Sequence, residues 1–260
     1  MGRAGSGLMN ILILGGNGML GPWVVDALGD RHRLRITDIG ESPVTTHEWR
    51  QIDVSSLDDV VDAAEGMDAI INLSVLRPHR RIAFDVNTRG NYNMMVAAVT
   101  HGIQRVINTG PHYQMAGPGY EDWDFDLNPD MPPQPGTRLY AHTKALGQEI
   151  DRVFTTKHDI YLQTLLFYHL YDPSDIGNGP GGSGLESLGK DMMVPYSIAW
   201  PDAGEAIRCA VELPLGGLPS RAETYMVFTD IPHGMFNNTK ARRQLGWQPR
   251  YHLEQLWNKS

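Results

Sequence analysis

Asn10-Ile11-Leu12-Ile13-Leu14-Gly15-Gly16-Asn17-Gly18-Met19-Leu20-Gly21 decides how this chain is read. Its run of aliphatic residues suits a strand buried on both faces. Glycines follow at Gly15, Gly18 and Gly21, in G-x-x-G-x-x-G spacing. Pro22-Trp23-Val24-Val25-Asp26-Ala27-Leu28 then has helical apolar spacing, with Pro22 tolerable in a first turn. Strand, glycine turn and helix in that order aim backbone N–H groups and a helix N-terminus at one point, where a pyrophosphate can sit. Gly15 is expected to make the tight turn, Gly18 to let the backbone approach phosphates, and Gly21 to let helix pack on strand. Asn17, Met19 and Leu20 lie among these glycines and join them as candidate cofactor-binding residues.

Strands and helices then alternate. Arg33–Asp38 reads as a second strand closed by Asp38, 17 residues after Gly21. A carboxylate there accepts from a ribose 2′-OH and repels a 2′-phosphate, so NAD is favoured over NADP. Arg33 and Arg35 stand nearby in sequence. Gln51–Val54 reads as a short third strand, with Asp53 and Val54 placed to meet an adenine. Ala69–Ser74 is a fourth strand, with Leu73 and Ser74 facing cofactor or substrate at its end. The polar stretch Arg77–Arg81 reads as a solvated loop. One helix is expected from Ile82 to His101, its polar Asn87, Gly90 and Asn93 turned toward the site. Gln104–Thr109 is a fifth strand, broken by Thr109-Gly110-Pro111-His112. The loop beyond holds Asp122, Asp124, Asp126, Asn128 and Asp130 at alternate positions. Leu127 and Pro133 stand where a calcium loop needs Gly and Glu, so no metal is expected.

Tyr140 and Lys144 are four apart and share a helical face. A phenol is a poor acid–base group at its ordinary pKa of about 10. A nearby ammonium stabilises the phenolate and brings proton transfer toward neutral pH. With a hydroxyl such as Thr109 on the same oxygen, this set can move a proton on or off an alcohol while hydride passes to a nicotinamide. Ten tyrosines and five lysines give on the order of 0.2 chance pairs at this spacing, so the pair gains its weight from position. It follows Thr109 by one strand–loop–helix step.

With these residues in place, the chain resembles the short-chain dehydrogenase/reductase superfamily, in its extended NAD-dependent epimerase/dehydratase branch. Gly15–Gly21, Asp38, Asp53-Val54, Asn87-Thr88-Arg89-Gly90 and the Tyr140/Lys144 pair carry the likeness. So does Thr239–Pro249, with its Leu245-Gly246-Trp247-Gln248-Pro249 turn. The resemblance implies Tyr140 as acid/base, Lys144 lowering its pKa and holding the nicotinamide ribose, and Asn87 supporting cofactor or substrate. It also implies a homodimer through helices 82–101 and 138–157. The branch usually ends its fifth strand in a serine pair; here the segment is Asn108-Thr109-Gly110-Pro111-His112-Tyr113. Thr109 supplies the hydroxyl in one alignment. A one-residue shift puts Gly110 there and leaves His112 as donor. The short chain resembles the compact uronate dehydrogenases, whose substrate-site positions fall near Ser74, Asn87–Gly90 and His112. Leu165–Asp172 lacks the arginine that holds a carboxylate in that group. A neutral or differently charged polyol or sugar is therefore also open.

Composition bounds the rest. A 260-residue chain with 41% hydrophobic and 20% charged residues reads as ordinary globular protein. A net charge of −8 disfavours nucleic acid and anionic membranes as partners. The single Cys209 excludes an internal disulfide, and no apolar run approaches membrane-spanning length. A cytoplasmic location is expected, since the first residues lack a signal-peptide core. The expected fold is α/β, a doubly wound Rossmann-like parallel sheet with a small C-terminal substrate lobe. Residues 1–166 and 195–213 are assigned to the dinucleotide-binding domain, and 167–194 with 214–260 to the lobe. Gly177–Gly184 is glycine-rich enough for a mobile lid. The expected activity is NAD-dependent oxidoreduction at a hydroxyl-bearing carbon of a sugar-like substrate. Alternatives are a sugar-nucleotide epimerase or dehydratase recycling bound NAD, and a non-catalytic NAD(P)-binding protein. Ser74, His112 and Tyr140 are the candidate substrate-binding residues.

Overall fold

A computed structural model of the chain describes residues 7–111, 128–167, 169–173, 197–230 and 237–251. His112, Asp122, Asp124, Asp126 and the Gly177–Gly184 lid expectation lie outside these residues. Seven parallel strands form one sheet: β1 (Asn10–Leu14), β2 (Arg33–Asp38), β3 (Glu48–Gln51), β4 (Ala69–Asn72), β5 (Arg105–Pro111), β6 (Tyr161–Phe167) and β9 (Ala222–Met226). Their order is β3-β2-β1-β4-β5-β6-β9. A second, two-stranded parallel sheet pairs β7 (His169–Tyr171) with β8 (Ser197–Ala199).

Helices cover both faces, which is why β1 is aliphatic at successive positions rather than alternate ones. Ile11 and Ile13 share one core with Val24 and Leu28 of α1 (Gly21–Leu28) and with Ala206 and Ile207 of α6 (Trp200–Glu212). Leu12 and Leu14 face the other way, onto Val60 of α2 (Leu57–Ala64) and Met94 and Ala98 of α4 (Gly90–His101). This is the doubly wound fold the alternation of elements predicts. The strand order reverses between β1 and β4, and the crevice beyond their carboxyl ends is where such sheets bind ligands.

Several elements differ from their expected bounds. The third strand lies at Glu48–Gln51, which leaves Asp53 and Val54 in the turn after it. β5 continues through Thr109, Gly110 and Pro111, paired to Leu165, Leu166 and Phe167 of β6. Pro111, which has no N–H to give to the ladder, is the last residue of the strand. The expected helix from Ile82 to His101 is three pieces: α3 (Arg80–Phe84), a π-helical turn at Asp85–Arg89, and α4. β9 falls within residues 214–260, expected in the lobe, yet it pairs with β6 and extends the main sheet. The same is true of α7 (Thr239–Leu245) and Trp247: Ala241, Leu245 and Trp247 pack into the core shared with α1 and α6.

Candidate active site

The glycine turn leads from β1 into α1 as expected. Gly15 adopts φ +73°, and a Cβ there would lie 2.7 Å from the Ser74 backbone. Both facts require glycine. Gly21 meets Gly16 so closely that a Cβ would lie 1.9 Å from the Gly16 carbonyl oxygen. No side chain caps the N-terminus of α1; its Gly21 N–H donates to the Gly18 carbonyl (3.0 Å), and Pro22 has no N–H to give. Asn17 is tied down at both ends, its N–H donating to Asp38 (3.1 Å) and its amide to the Glu41 carbonyl (3.2 Å).

Two adjoining clefts open from this turn and share Gly15, Gly18 and Leu73. The smaller, about 280 Å³, is lined by Asn17, Asp38, Asp53, Val54 and Ser74 among others. No Lys, Arg or His lines it among the described residues. Arg35, near Asp38 in sequence, is buried instead against Glu48 and the Ala63 and Glu65 carbonyls. With Arg33 it lines a separate groove. Asp38 accepts from the N–H groups of Asn17 (3.1 Å), Ile39 (2.8 Å) and Gly40 (3.4 Å), and of the roughly four acceptor sites of a carboxylate about one is left for a ribose hydroxyl. Asp53 forms an Asx turn with the Ser55 N–H (2.8 Å). Ser74 Oγ is buried with no partner among the described residues, as expected of a group that meets a ligand.

The larger cleft, about 620 Å³, holds Met19 and Leu20 on one side and Thr109, Gly110, Tyr140 and Lys144 on the other. Tyr140 and Lys144 rise from the start of α5 (Leu139–Lys157). Lys144 is buried, and its Nζ donates to the Ser74 carbonyl (2.8 Å) and the Thr109 carbonyl (3.1 Å). Burial pushes its pKa down to about 8, with Arg77 adding to the depression and Asp151 opposing it. Burial pushes the Tyr140 phenol up. The opposing influence is Arg77, whose guanidinium stands 5.3 Å from the ring centroid. The stretch read as a solvated loop thus delivers a cation to the phenol.

Two expected site residues are committed elsewhere. The Thr109 hydroxyl donates its only hydrogen to the Asn72 carbonyl (2.9 Å), although Thr109 lines the cleft. Asn87 is fully buried and holds both backbone groups of Leu76 (3.1 and 2.8 Å) and the Thr143 hydroxyl (2.9 Å). It clamps the segment after β4 to α5 and lines neither cleft. Sequence reading missed Arg77, Arg138, Phe167, Leu170 and Trp200 as cleft residues. The available signal was topological: Phe167 ends β6 at the same carboxyl edge as Thr109.

Residues 11–185 match the model of the NAD dependent epimerase/dehydratase family. The chain belongs to that family. NAD is the cofactor the family is named for, and the cradle around Gly15, Ser74 and Asp38 fits it. Among curated proteins, a 3-beta-hydroxysteroid dehydrogenase from Mycolicibacterium neoaurum is 31% identical over 124 residues. That match spans 42% of this chain and about a third (34%) of the relative. Solved structures of the same fold include uronate dehydrogenase from Agrobacterium tumefaciens, with TM-score 0.76 and 20% identity over 95% of this chain and 86% of that one. A variant of that enzyme has been solved in complex with NAD. Glucuronic acid dehydrogenase from Chromohalobacter salexigens gives TM-score 0.77 and 20% identity over 97% and 88% of the two chains. No helix among the described residues is long and apolar enough to cross a membrane.

Proposed function

We propose that this member of the family is an NAD-dependent dehydrogenase acting at a hydroxyl-bearing carbon of a sugar-like substrate, with Tyr140 as acid/base. One observation carries the reading: Tyr140 and Lys144 line the same cleft as Gly15 and Gly18. NAD, when bound, accepts the hydrogen of the carbinol carbon with its electron pair. Tyr140, as phenolate, removes the proton of the same hydroxyl, so an alcohol becomes a carbonyl. Lys144 supplies positive charge to the cleft and, by the family resemblance, a hand for the nicotinamide ribose. Arg77 replaces the hydroxyl donor that Thr109 has committed to Asn72, and its charge stabilises the Tyr140 phenolate. Phe167, Leu170 and Trp200 supply an apolar wall that excludes water.

The test is a panel of aldoses, uronates and polyols with NAD, read as NADH absorbance at about 340 nm. Net NADH from a hydroxylated substrate supports the dehydrogenase. Tightly retained cofactor with epimerised substrate and no net NADH would replace it with the epimerase reading. NAD binding without turnover across the panel would leave a binding protein.

Asp38 and the lack of a basic residue among the described residues of its cleft support NAD over NADP. NADH is expected to bind at least about tenfold more tightly than NADPH, a difference of about 1.4 kcal/mol. Asp38→Ser should erase most of that preference in a fluorescence titration of both cofactors. Equal affinities in the unaltered protein would remove Asp38 from the ribose site.

A homodimer is supported by Tyr92 and Val99 on α4 and Leu146 and Val153 on α5, large apolar residues left exposed. Val153→Glu is expected to turn a dimer into a monomer in sedimentation velocity, and a monomeric unaltered protein would end this part of the reading.

A further inference from the structure

Behind the larger cleft lies a buried polar cluster that no step of the proposed reaction uses. Asp151 of α5 and Asn91 of α4 have no exposure, while Asn72 of β4 and Asn108 of β5 are 2% and 1% exposed. Asp151 Oδ2 accepts from Asn91 Nδ2 (2.8 Å) and Asn108 Nδ2 (2.9 Å), and Oδ1 has no partner among the described residues. A buried carboxyl with an idle oxygen is an expensive way to fill space, since an apolar residue of similar size carries no desolvation penalty.

Followed outward, the cluster reaches the site. Asn108 Oδ1 accepts the Thr109 N–H (2.9 Å) and one Asn72 amide hydrogen (3.2 Å). Asn72 Nδ2 also donates to Asn91 Oδ1 (2.8 Å), and Asn72 Oδ1 accepts the Ser74 N–H (3.0 Å). The network therefore ends on the peptide N–H groups of Thr109 and Ser74. The carbonyls of those same two residues hold the Lys144 ammonium. Asp151 also lies seven residues beyond Lys144 on α5, two turns along one face.

We propose that Asp151 is a positioning residue for Lys144: through Asn108 and Asn72 it sets the two carbonyls that hold the ammonium, and its negative charge keeps that ammonium protonated. The groups facing Lys144 account for the need. Two neutral carbonyls hold it, Tyr140 is on its own helix, and the Arg77 cation opposes its charge. Asp151 is the group that favours the protonated form. Asp151 in turn faces Lys144 and the two neutral amides of Asn91 and Asn108; burial holds its carboxyl well above the ordinary carboxylate range, and Lys144 is the chief influence opposing that rise. The consequence for catalysis rests on the function proposed above; the electrostatic link does not.

The test therefore reads the lysine directly. The full chain has five lysines, so ¹⁵N/¹³C-lysine NMR gives a sparse spectrum, and Lys144 is the signal missing from Lys144→Arg. Asp151→Asn keeps an oxygen to accept from Asn91 and Asn108 while removing the charge. In that variant the Lys144 proton affinity is expected to fall at least tenfold, read as a titration midpoint at least one unit lower. An unmoved Lys144 midpoint in folded Asp151→Asn overturns the proposal. Coupling is reciprocal. Should Asp151→Asn fail to fold, Lys144→Met in ¹³C-aspartate-labelled protein must raise the Asp151 midpoint by a comparable factor, and an unmoved Asp151 signal overturns it equally. A shifted Lys144 midpoint with no turnover on the substrate panel supports this link and refutes the catalytic reading, so the two failures are distinct.

Discussion

Replacing Tyr140 by Phe is expected to lower NAD-dependent oxidation by roughly 10²–10⁴ while NAD affinity changes by less than about twofold. The reason is local. Phe keeps the ring under Arg77 and against the cleft wall, so packing survives. Only the oxygen that exchanges a proton with the substrate is lost. The glycine turn and Asp38, proposed to hold the cofactor, are untouched. Steady-state turnover and a cofactor fluorescence titration separate the two effects, and a fully active Tyr140→Phe protein refutes the mechanism. The pH dependence has a definite sign. Burial holds the phenol above its ordinary value, so the base form grows as pH rises. Oxidation by the unaltered protein should accelerate toward alkaline pH, and the reverse reduction should slow.

Trp247→Ala is expected to cost roughly 3–5 kcal/mol, the range for deleting a large buried aromatic side chain. Trp247 is 1% exposed and shares a core with Val24, Ala206 and Ile207. Its indole N–H donates to the Asp202 carbonyl (3.0 Å), and the Asp202 carboxylate accepts the N–H groups of Arg250 and Tyr251 (3.0 and 3.1 Å). The C-terminal segment is thus bolted to α6 and the sheet. A chain of this length loses about 2–4 °C per kcal/mol, so calorimetry should show the whole transition moving down by roughly 10 °C. Cofactor binding should vanish at the same temperature. A small separate transition with the main one unmoved would instead mark residues 214–260 as an independent lobe.

Gly15, Asp38, Tyr140 and Lys144 were legible in the sequence for one reason: each belongs to a short-range pattern, a turn, a strand end or a single helical face. Arg77, Phe167 and Trp200 were not, because separate loops bring them together and only the strand order makes those loops neighbours. Thr109 lines the larger cleft, but its hydroxyl hydrogen goes to a carbonyl one strand away, a partner that spacing cannot reveal. Asp151 looks like any polar residue of a surface helix until α4 and β5 close over it. The π-helical turn was hidden too, since one extra residue barely disturbs an apolar rhythm as weak as that of Ile82–His101.

That widened turn sets the phase of everything after it. Upstream and at its centre, Ile82 and Val86 border the smaller cleft and Asn87 grips Leu76. Downstream, Asn91 and Asn93 look inward, to Asp151 and to the Val54 carbonyl. Each residue of a regular helix advances about 100°. Loss of a single codon between Asp85 and Arg89 would therefore swing one of these two faces by more than a quarter of a circle. The insertion works as a phase shifter, letting one rod serve a ligand-facing wall and a sheet-facing wall that a uniform pitch would leave out of step.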